Sequence, residues 1–210
     1  MNRLETIASL VPVGSIVADV GTDHGLLPVL LVEQGRSTKV YAIDNKPGPL
    51  RGAYALTKEI PNITLVLADG IQGLADDVNT IVIAGLGGRT IVDILATIPS
   101  RIDTLVISAH VAMPLVRKTL STMGYAIDAE ALVEEAGTFY EIARFIQGEA
   151  NYTEADYYCG PLLRQERSTI WQRWMEQLIA QTQFTLKQIP SHDANALELQ
   201  ARLTLLQHEQ

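Results

Sequence analysis

Residues 15–33 read SIVADVGTDHGLLPVLLVE, and the change of period inside this stretch decides the fold. The first six residues are apolar and β-branched almost throughout, the pattern of a parallel strand covered on both faces. Gly21-Thr22-Asp23-His24-Gly25 is turn chemistry, and from Leu26 the apolar residues run on as a helix. The same succession recurs downstream, with strands predicted at 39–43, 63–67, 80–84 and 104–108 and a helix over 90–97 after the fourth. Two further strands, 126–133 and 139–146, follow without a helix between them, and residues 134–138 read as the hairpin turn that closes one edge. Five parallel strands and an antiparallel pair make a seven-stranded mixed, doubly wound α/β sheet.

Composition narrows the class. Of 210 residues, 47% are apolar and 19% charged, which argues against a disordered, collagen-like or bare coiled-coil chain. No apolar run reaches the ~18 residues of a membrane span, and the first residues lack the regions of an export signal. A soluble, cytoplasmic protein without a membrane partner is expected. Cys159 is the single cysteine and the four histidines are scattered, so no internal disulfide and no Cys/His metal cluster is predicted. The net charge of −8 disfavours nonspecific attraction to nucleic acid, DNA included, or to anionic membranes, and any nucleic-acid reading must overcome it.

Near Gly148 the composition shifts, dividing the chain into 1–150 and 151–210. The second part holds no β-branched run. Ile170, Trp171, Trp174 and Leu178 recur at helical spacing, and Leu197, Ala201, Leu205 and His208 do so after Pro190-Ser191. Two helices joined by a turn over 189–193 are predicted, paired as an antiparallel hairpin. Periodicity reads Trp171 and Trp174 as hairpin core, and a base-stacking platform is the functional alternative.

In a doubly wound sheet ligands sit outside the carboxyl ends of the strands, so the residues after each strand carry the chemistry. The first loop spaces its glycines G-x-x-x-G and holds Asp23, a carboxylate that would repel a pyrophosphate docked on the helix N-terminus. Dinucleotides are disfavoured. S-adenosylmethionine, cationic and free of phosphate, suits an acidic turn in which Gly21 lets the ligand approach the backbone. Asp23 as a helix cap beside a turning Gly25 is the purely structural alternative. Asp44 ends the second strand, ~20 residues beyond the glycine, where an acid bonds a ribose diol. The third strand ends in Ala68-Asp69-Gly70, where a carboxylate accepts from an adenine amine and Gly70 leaves room for the ring. Each acid alone also reads as a turn residue, but three acids after three successive strands point to a nucleoside cofactor. After the fourth strand, Ala84-Gly85-Leu86-Gly87-Gly88-Arg89 implies a close approach to backbone or positive φ angles, without the Asn/Asp-Pro-Pro-aromatic run of many amine methylases.

Taken together, Asp19-x-Gly21-Thr22-Asp23-His24-x-x-Leu27-Pro28, Gly48-Pro49, Ala68-Asp69-Gly70, Ala84-Gly85-x-Gly87-Gly88, Glu134-Glu135 ahead of Tyr140-Glu141-Ile142, and Gly160-Pro161-Leu162-Leu163 resemble the bacterial tRNA (adenine(22)-N1)-methyltransferase family. The resemblance runs over nearly the whole chain, and Gly-Thr-Asp-His followed by Leu-Pro is its most specific element. It departs at Gly25, where Ala is expected, at Leu86, where Met is usual, and at Ser108-Ala109-His110, where Gln-Pro-Asn is typical. It implies a Rossmann-like class I methyltransferase fold with a C-terminal coiled-coil-like hairpin, S-adenosyl-L-methionine as donor and tRNA as acceptor. Carried over by position, Asp19, Gly21, Thr22, Asp44 and Asn45 bind the cofactor together with Asp69, Gly70, Ala84 and Gly85. Asp23 and His24 stand between cofactor and substrate as catalytic residues. Gly87, Gly88, Arg89, His110, Lys46 and Arg51 fall on the substrate side.

An RNA acceptor makes the distribution of charge matter more than its sum. Residues 151–210 hold five Lys/Arg against seven Asp/Glu, so this part is no basic arm. Lys46, Arg51 and Arg89 are expected near the carboxyl edge as a modest basic rim, with Arg117 and Lys118 on the helix after the fifth strand. Arg164, Arg167 and Arg173 are spaced to make one exposed stripe along the first hairpin helix, a positioning contact for RNA. Each of these residues also reads singly as an ordinary solvated charge. Two further readings share the pocket: a small-molecule methyltransferase, and a non-catalytic adaptor that binds cofactor and offers the hairpin to a protein.

Overall fold

The computed structural model describes residues 1–190 and 193–210, which divide into two compact units, Met1–Ala150 and Asn151–Gln210. The predicted turn over 189–193 falls partly on Ser191 and His192, outside the described residues.

The first unit runs α1 (Arg3–Leu10), β1 (Ser15–Val20), α2 (Leu26–Glu33), β2 (Ser37–Asp44), α3 (Pro47–Thr57), β3 (Ile63–Leu67), β4 (Thr80–Leu86), α4 (Gly88–Leu95), β5 (Thr104–Ala109), α5 (Met113–Thr122), β6 (Tyr125–Glu135) and β7 (Thr138–Gln147). The sheet order is β3-β2-β1-β4-β5-β7-β6, parallel from β3 to β5, with β7 antiparallel to both β5 and β6. This is the predicted seven-stranded mixed sheet. Glu134 and Glu135 belong to β6, so the hairpin turn is only Ala136-Gly137, both at positive φ (49° and 77°) as a two-residue type I′ turn requires. The helix after β4 starts at Gly88 rather than at residue 90, its first N–H bonded to Val111 O at 2.9 Å.

Alternation sends Val17 and Asp19 of β1 to one face and Ala18 and Val20 to the other. On the first face Val17, Val40, Val82, Val106 and Ile142 form a buried cluster with Ile7, Ala8 and Val11 at α1 and with Leu27 and Leu31 of α2. Each such side chain contributes roughly 1.5–3 kcal/mol on burial. Helix α1, which the sequence reading omits, therefore packs on the face to which Asp19 points. Its N-terminus is set by a capping box, Asn2 Oδ1 accepting from Glu5 N–H at 2.8 Å and Glu5 returning to Asn2 N–H.

Arg117, expected only to lie on the helix after the fifth strand, is not a surface charge. It is fully buried on α5 and lies 2.8 Å from Glu130 and 2.7 Å from Glu141, tying the helix to the β6–β7 pair. A buried cation needs such partners to offset its desolvation.

The second unit has four helices among its described residues, where two are predicted: α6 (Glu154–Cys159), α7 (Pro161–Glu166), α8 (Thr169–Gln188) and α9 (Ala194–Glu209). Gly160 at φ 75° separates α6 from α7, and Pro161 opens α7. Helix α8 buries Trp171 and Trp174, with Trp171 Nε1 donating to Cys159 O at 3.1 Å, so neither ring is available for base stacking. Helix α9 buries Leu203, Leu206 and Glu209 and leaves Leu197 75% exposed, so its inner face is not the predicted 197/201/205/208 stripe. No basic stripe forms either. Arg164 grips Glu209 and Asp156, Arg167 pairs with Glu209 in the turn after α7, and Arg173 lies on α8. Among the described residues no helix is long and apolar enough to cross a membrane.

Candidate active site

Strand order reverses between β1 and β4, and a cleft of about 880 Å³ opens at their carboxyl ends. Its floor is the loop after β1. Gly21, at φ 77°, and Thr22 both donate their N–H to Ile43 O at 2.8 and 2.9 Å, which folds the loop back over β2. Asp23 takes a left-handed φ of 50° and sends its N–H to Asp44 Oδ2 at 3.3 Å, while Asp44 Oδ1 accepts from Lys46 N–H at 2.9 Å. Asp44 is thus oriented by backbone donors from two loops. Asp23 is not a cap for α2: the N-cap is Gly25, with no side-chain bond, and a Cβ there would stand 3.0 Å from that of Ala53.

Asp19 lies at the base of the cleft, 4% exposed. Burial pushes its carboxyl up to about 6, with the negative charge of Asp44 adding to the effect. The Thr22 hydroxyl stands close enough to offset part of this, but without hydrogen-bond geometry; its Oγ1 is a buried oxygen with no partner. An acid raised in this way is primed to receive a cation. On the far side, Asn45 and Asp69 make a long 3.5 Å contact, and Gly70 turns at φ 59°. Gly85 forms a bulge in β4 at φ 86°, and a Cβ there would reach 3.7 Å from Arg3 Nη2 and from His110 Nε2, inside the cleft.

Every proposed cofactor residue lines this cleft, as do Asp23, His24, Lys46 and His110. Asp23 and His24 lie at its open side, 69% and 66% exposed at their side chains and 3.7 Å apart. Gly52 of α3 makes room for the imidazole, since a Cβ there would approach His24 Nδ1 to 2.9 Å. Gly87, Gly88, Arg89 and Arg51 are not in the lining. Gly88 is a packing glycine: an added Cβ would meet Ala112 O at 2.5 Å. Arg89 is exposed on α4, and Arg51 flanks a separate shallow groove with Pro47, Leu50, Tyr54 and Leu67. The sequence reading misses Asn2 and Arg3, which also line the cleft, and gives no site role to Glu135, which lines it too although it belongs to a quoted motif. The signal for the first two is the Asn2-x-x-Glu5 capping pattern.

A cationic, phosphate-free nucleoside fits these residues. The acids at three strand ends, the bare backbone at Gly21, Gly70 and Gly85 and the unpartnered Thr22 hydroxyl match a ribose, an adenine and a positively charged chain.

Residues 1–143 match the family described as Methyltransferase domain. The tRNA (adenine(22)-N(1))-methyltransferase of Bacillus subtilis is 27% identical over 203 residues, spanning 89% of this chain and 84% of the relative. A Mycoplasma pneumoniae protein provisionally named as a tRNA methyltransferase is 33% identical over 169 residues, 77% of this chain and 79% of its own length. The solved structure of Streptococcus pneumoniae Sp1610 in complex with S-adenosyl-L-methionine superposes with a TM-score of 0.90 at 30% identity, covering 100% of this chain and 99% of that one. The likeness extends through the helical unit as well as the sheet, and on these grounds the chain belongs to the methyltransferase-domain proteins and, among them, to the tRNA (adenine(22)-N(1))-methyltransferase family.

Proposed function

We propose that this chain transfers the methyl group of S-adenosyl-L-methionine to N1 of adenine 22 in tRNA, working in the cytoplasm. The observation that carries the reading is the convergence of Asp19, Asp44 and Asp69, from the ends of three neighbouring strands, on one glycine-lined cleft. Asp19 faces the positively charged end of the cofactor. Asp44, already steadied by two N–H groups, keeps lone pairs for the ribose hydroxyls. Asp69 accepts from the adenine amine beside Gly70.

The cofactor supplies a methyl group already activated on sulfur; as the bond to N1 forms, the pair of the breaking C–S bond returns to sulfur. Adenine N1 has a free lone pair and no proton, so the protein need supply no base. What the protein must stabilise is charge, because the purine ring and its exocyclic amine become cationic. Asp23, at the open side of the cleft, accepts from that amine, and the attraction grows as charge develops, which is the condition for catalysis. His24, 3.7 Å away, positions the carboxylate. N1 is paired in a duplex, so the base must leave its stack at a cost of a few kcal/mol. Lys46, exposed at the rim, is placed to meet a phosphate.

The test is transfer of labelled methyl to unmodified tRNA transcripts, with the product nucleoside identified by mass. One-methyladenosine is expected, and none from a transcript with guanine at position 22. Methylation of another base, or of small molecules alone, would refute the reading.

A further inference from the structure

The side chain of Arg3 plays no part in the chemistry described so far. It sits in the first turn of α1, where a cation opposes the helix dipole. Its backbone N–H is held by a Glu135 carboxylate oxygen at the end of β6, which fixes the turn against the sheet. Its guanidinium lies over the Tyr140 ring of β7, 4.4 Å from the centroid, and Tyr140 in turn stands 6.2 Å from the His110 ring. Stacking uses the face of the guanidinium and leaves its N–H edge for acceptors. That edge has no acceptor among the described residues, and Nε is a buried nitrogen without a hydrogen-bond partner. It borders the cleft beside Gly85, where a Cβ would come within 3.7 Å of Nη2. Asp19, Asp23, Asp44, Asp69 and Glu135 make the cleft acidic, Glu135 lying against the Arg3 backbone, and Arg3 and Lys46 are the fixed cations of its lining, Lys46 lying after β2.

We infer that Arg3 is the oxyanion contact of this cleft, its stacked guanidinium receiving a carboxylate or phosphate oxygen at the end of the site marked by Gly85 and His110. The inference rests on the proposed function, which offers two anions there: the carboxylate of the cofactor's amino-acid chain and the phosphodiester beside the acceptor base. Arg suits either through paired N–H donors.

Arg3→Met keeps an apolar stem against Tyr140 and removes the charge, and Arg3→Lys restores charge without the fork. Calorimetry with S-adenosylhomocysteine and with 5′-methylthioadenosine, which lacks the amino-acid chain, separates the sources from each other. If the carboxylate is the ligand, Arg3→Met weakens S-adenosylhomocysteine about tenfold or more and leaves 5′-methylthioadenosine within twofold, with partial recovery in Arg3→Lys. If the phosphodiester is the ligand, both nucleosides bind as in the wild type, while tRNA affinity falls and the slope of log Kd against log salt drops by about one. Unchanged affinity for all three ligands in Arg3→Met, or an equal loss of both nucleosides, overturns the inference. Failure of the wild-type protein to bind S-adenosylhomocysteine or tRNA would instead strike the proposed function, and is seen with Arg3 in place.

Discussion

If the buried acid at the end of β1 receives the cofactor's cationic end as proposed, cofactor affinity depends on pH in a way that can be worked out beforehand. Burial raises the Asp19 carboxyl from 3.8 to about 6. At about 1.4 kcal/mol per unit, holding this group ionised in the cofactor-free protein at neutral pH costs about 3 kcal/mol. The folded state therefore binds more protons than the unfolded chain between these values, and Asp19 makes stability fall as pH rises from about 4 to about 6. A cation docked against the carboxylate reverses the balance, because binding is then coupled to loss of the proton. Below about pH 6 the affinity for S-adenosylhomocysteine, which keeps the ammonium, should change up to tenfold per pH unit. That amounts to about tenfold between pH 5 and pH 7, with a plateau above. Calorimetry in two buffers of different ionisation enthalpy, at several pH values, measures both the affinity and the proton released. His24 and His110 line the same cleft, so Asp19→Asn is the necessary control. It should flatten the Asp19 part of the profile, weaken binding at pH 7 and raise the cofactor-free melting temperature at neutral pH. A wild-type profile flat from pH 5 to 7, or an undiminished slope in Asp19→Asn, would refute the reasoning.

Three further outcomes are expected. Asp44→Ala should weaken cofactor binding by about 2 kcal/mol, since it would remove the proposed charge-assisted ribose contact and free the Asp23 and Lys46 N–H groups that Asp44 now holds; unaltered affinity by calorimetry would exclude Asp44 from the site. Asp23→Asn should lower kcat on tRNA by roughly 10²–10³-fold with tRNA affinity nearly unchanged, because Asn tolerates the left-handed backbone at φ 50°. Loss of cofactor binding instead would move Asp23 to the amino-acid end of the cofactor. Gly88→Ala should destabilise the sheet unit by about 1–3 kcal/mol through the 2.5 Å approach of its Cβ to Ala112 O; an unchanged thermal midpoint would show that the β5–α5 loop yields freely.

The sheet and the acidic, glycine-lined cleft at its strand ends were legible in the primary structure because both are written in short-range patterns. An apolar β-branched run followed by glycine and acid marks a strand end wherever it occurs, and Asp23, Asp44 and Asp69, read after three such strands, line one cleft. What depends on which distant segments meet was not legible. Helix α9 carries leucines at 197, 199, 203, 205 and 206, so its own sequence does not say which side is inner, and packing selects Leu203 and Leu206. Arg117, Arg164 and Arg167 look alike as charges on helical stretches, and only the tertiary fold brings carboxylates to each of them. Gly88 reads as ligand space until Ala112 O is seen against it. Arg3 and Tyr140 stand at opposite ends of the sheet unit's sequence, and a guanidinium stacked on a ring leaves no periodic trace in either segment. Local sequence sets backbone period and turn chemistry, whereas burial and charge pairing are properties of contacts made only when the chain closes on itself.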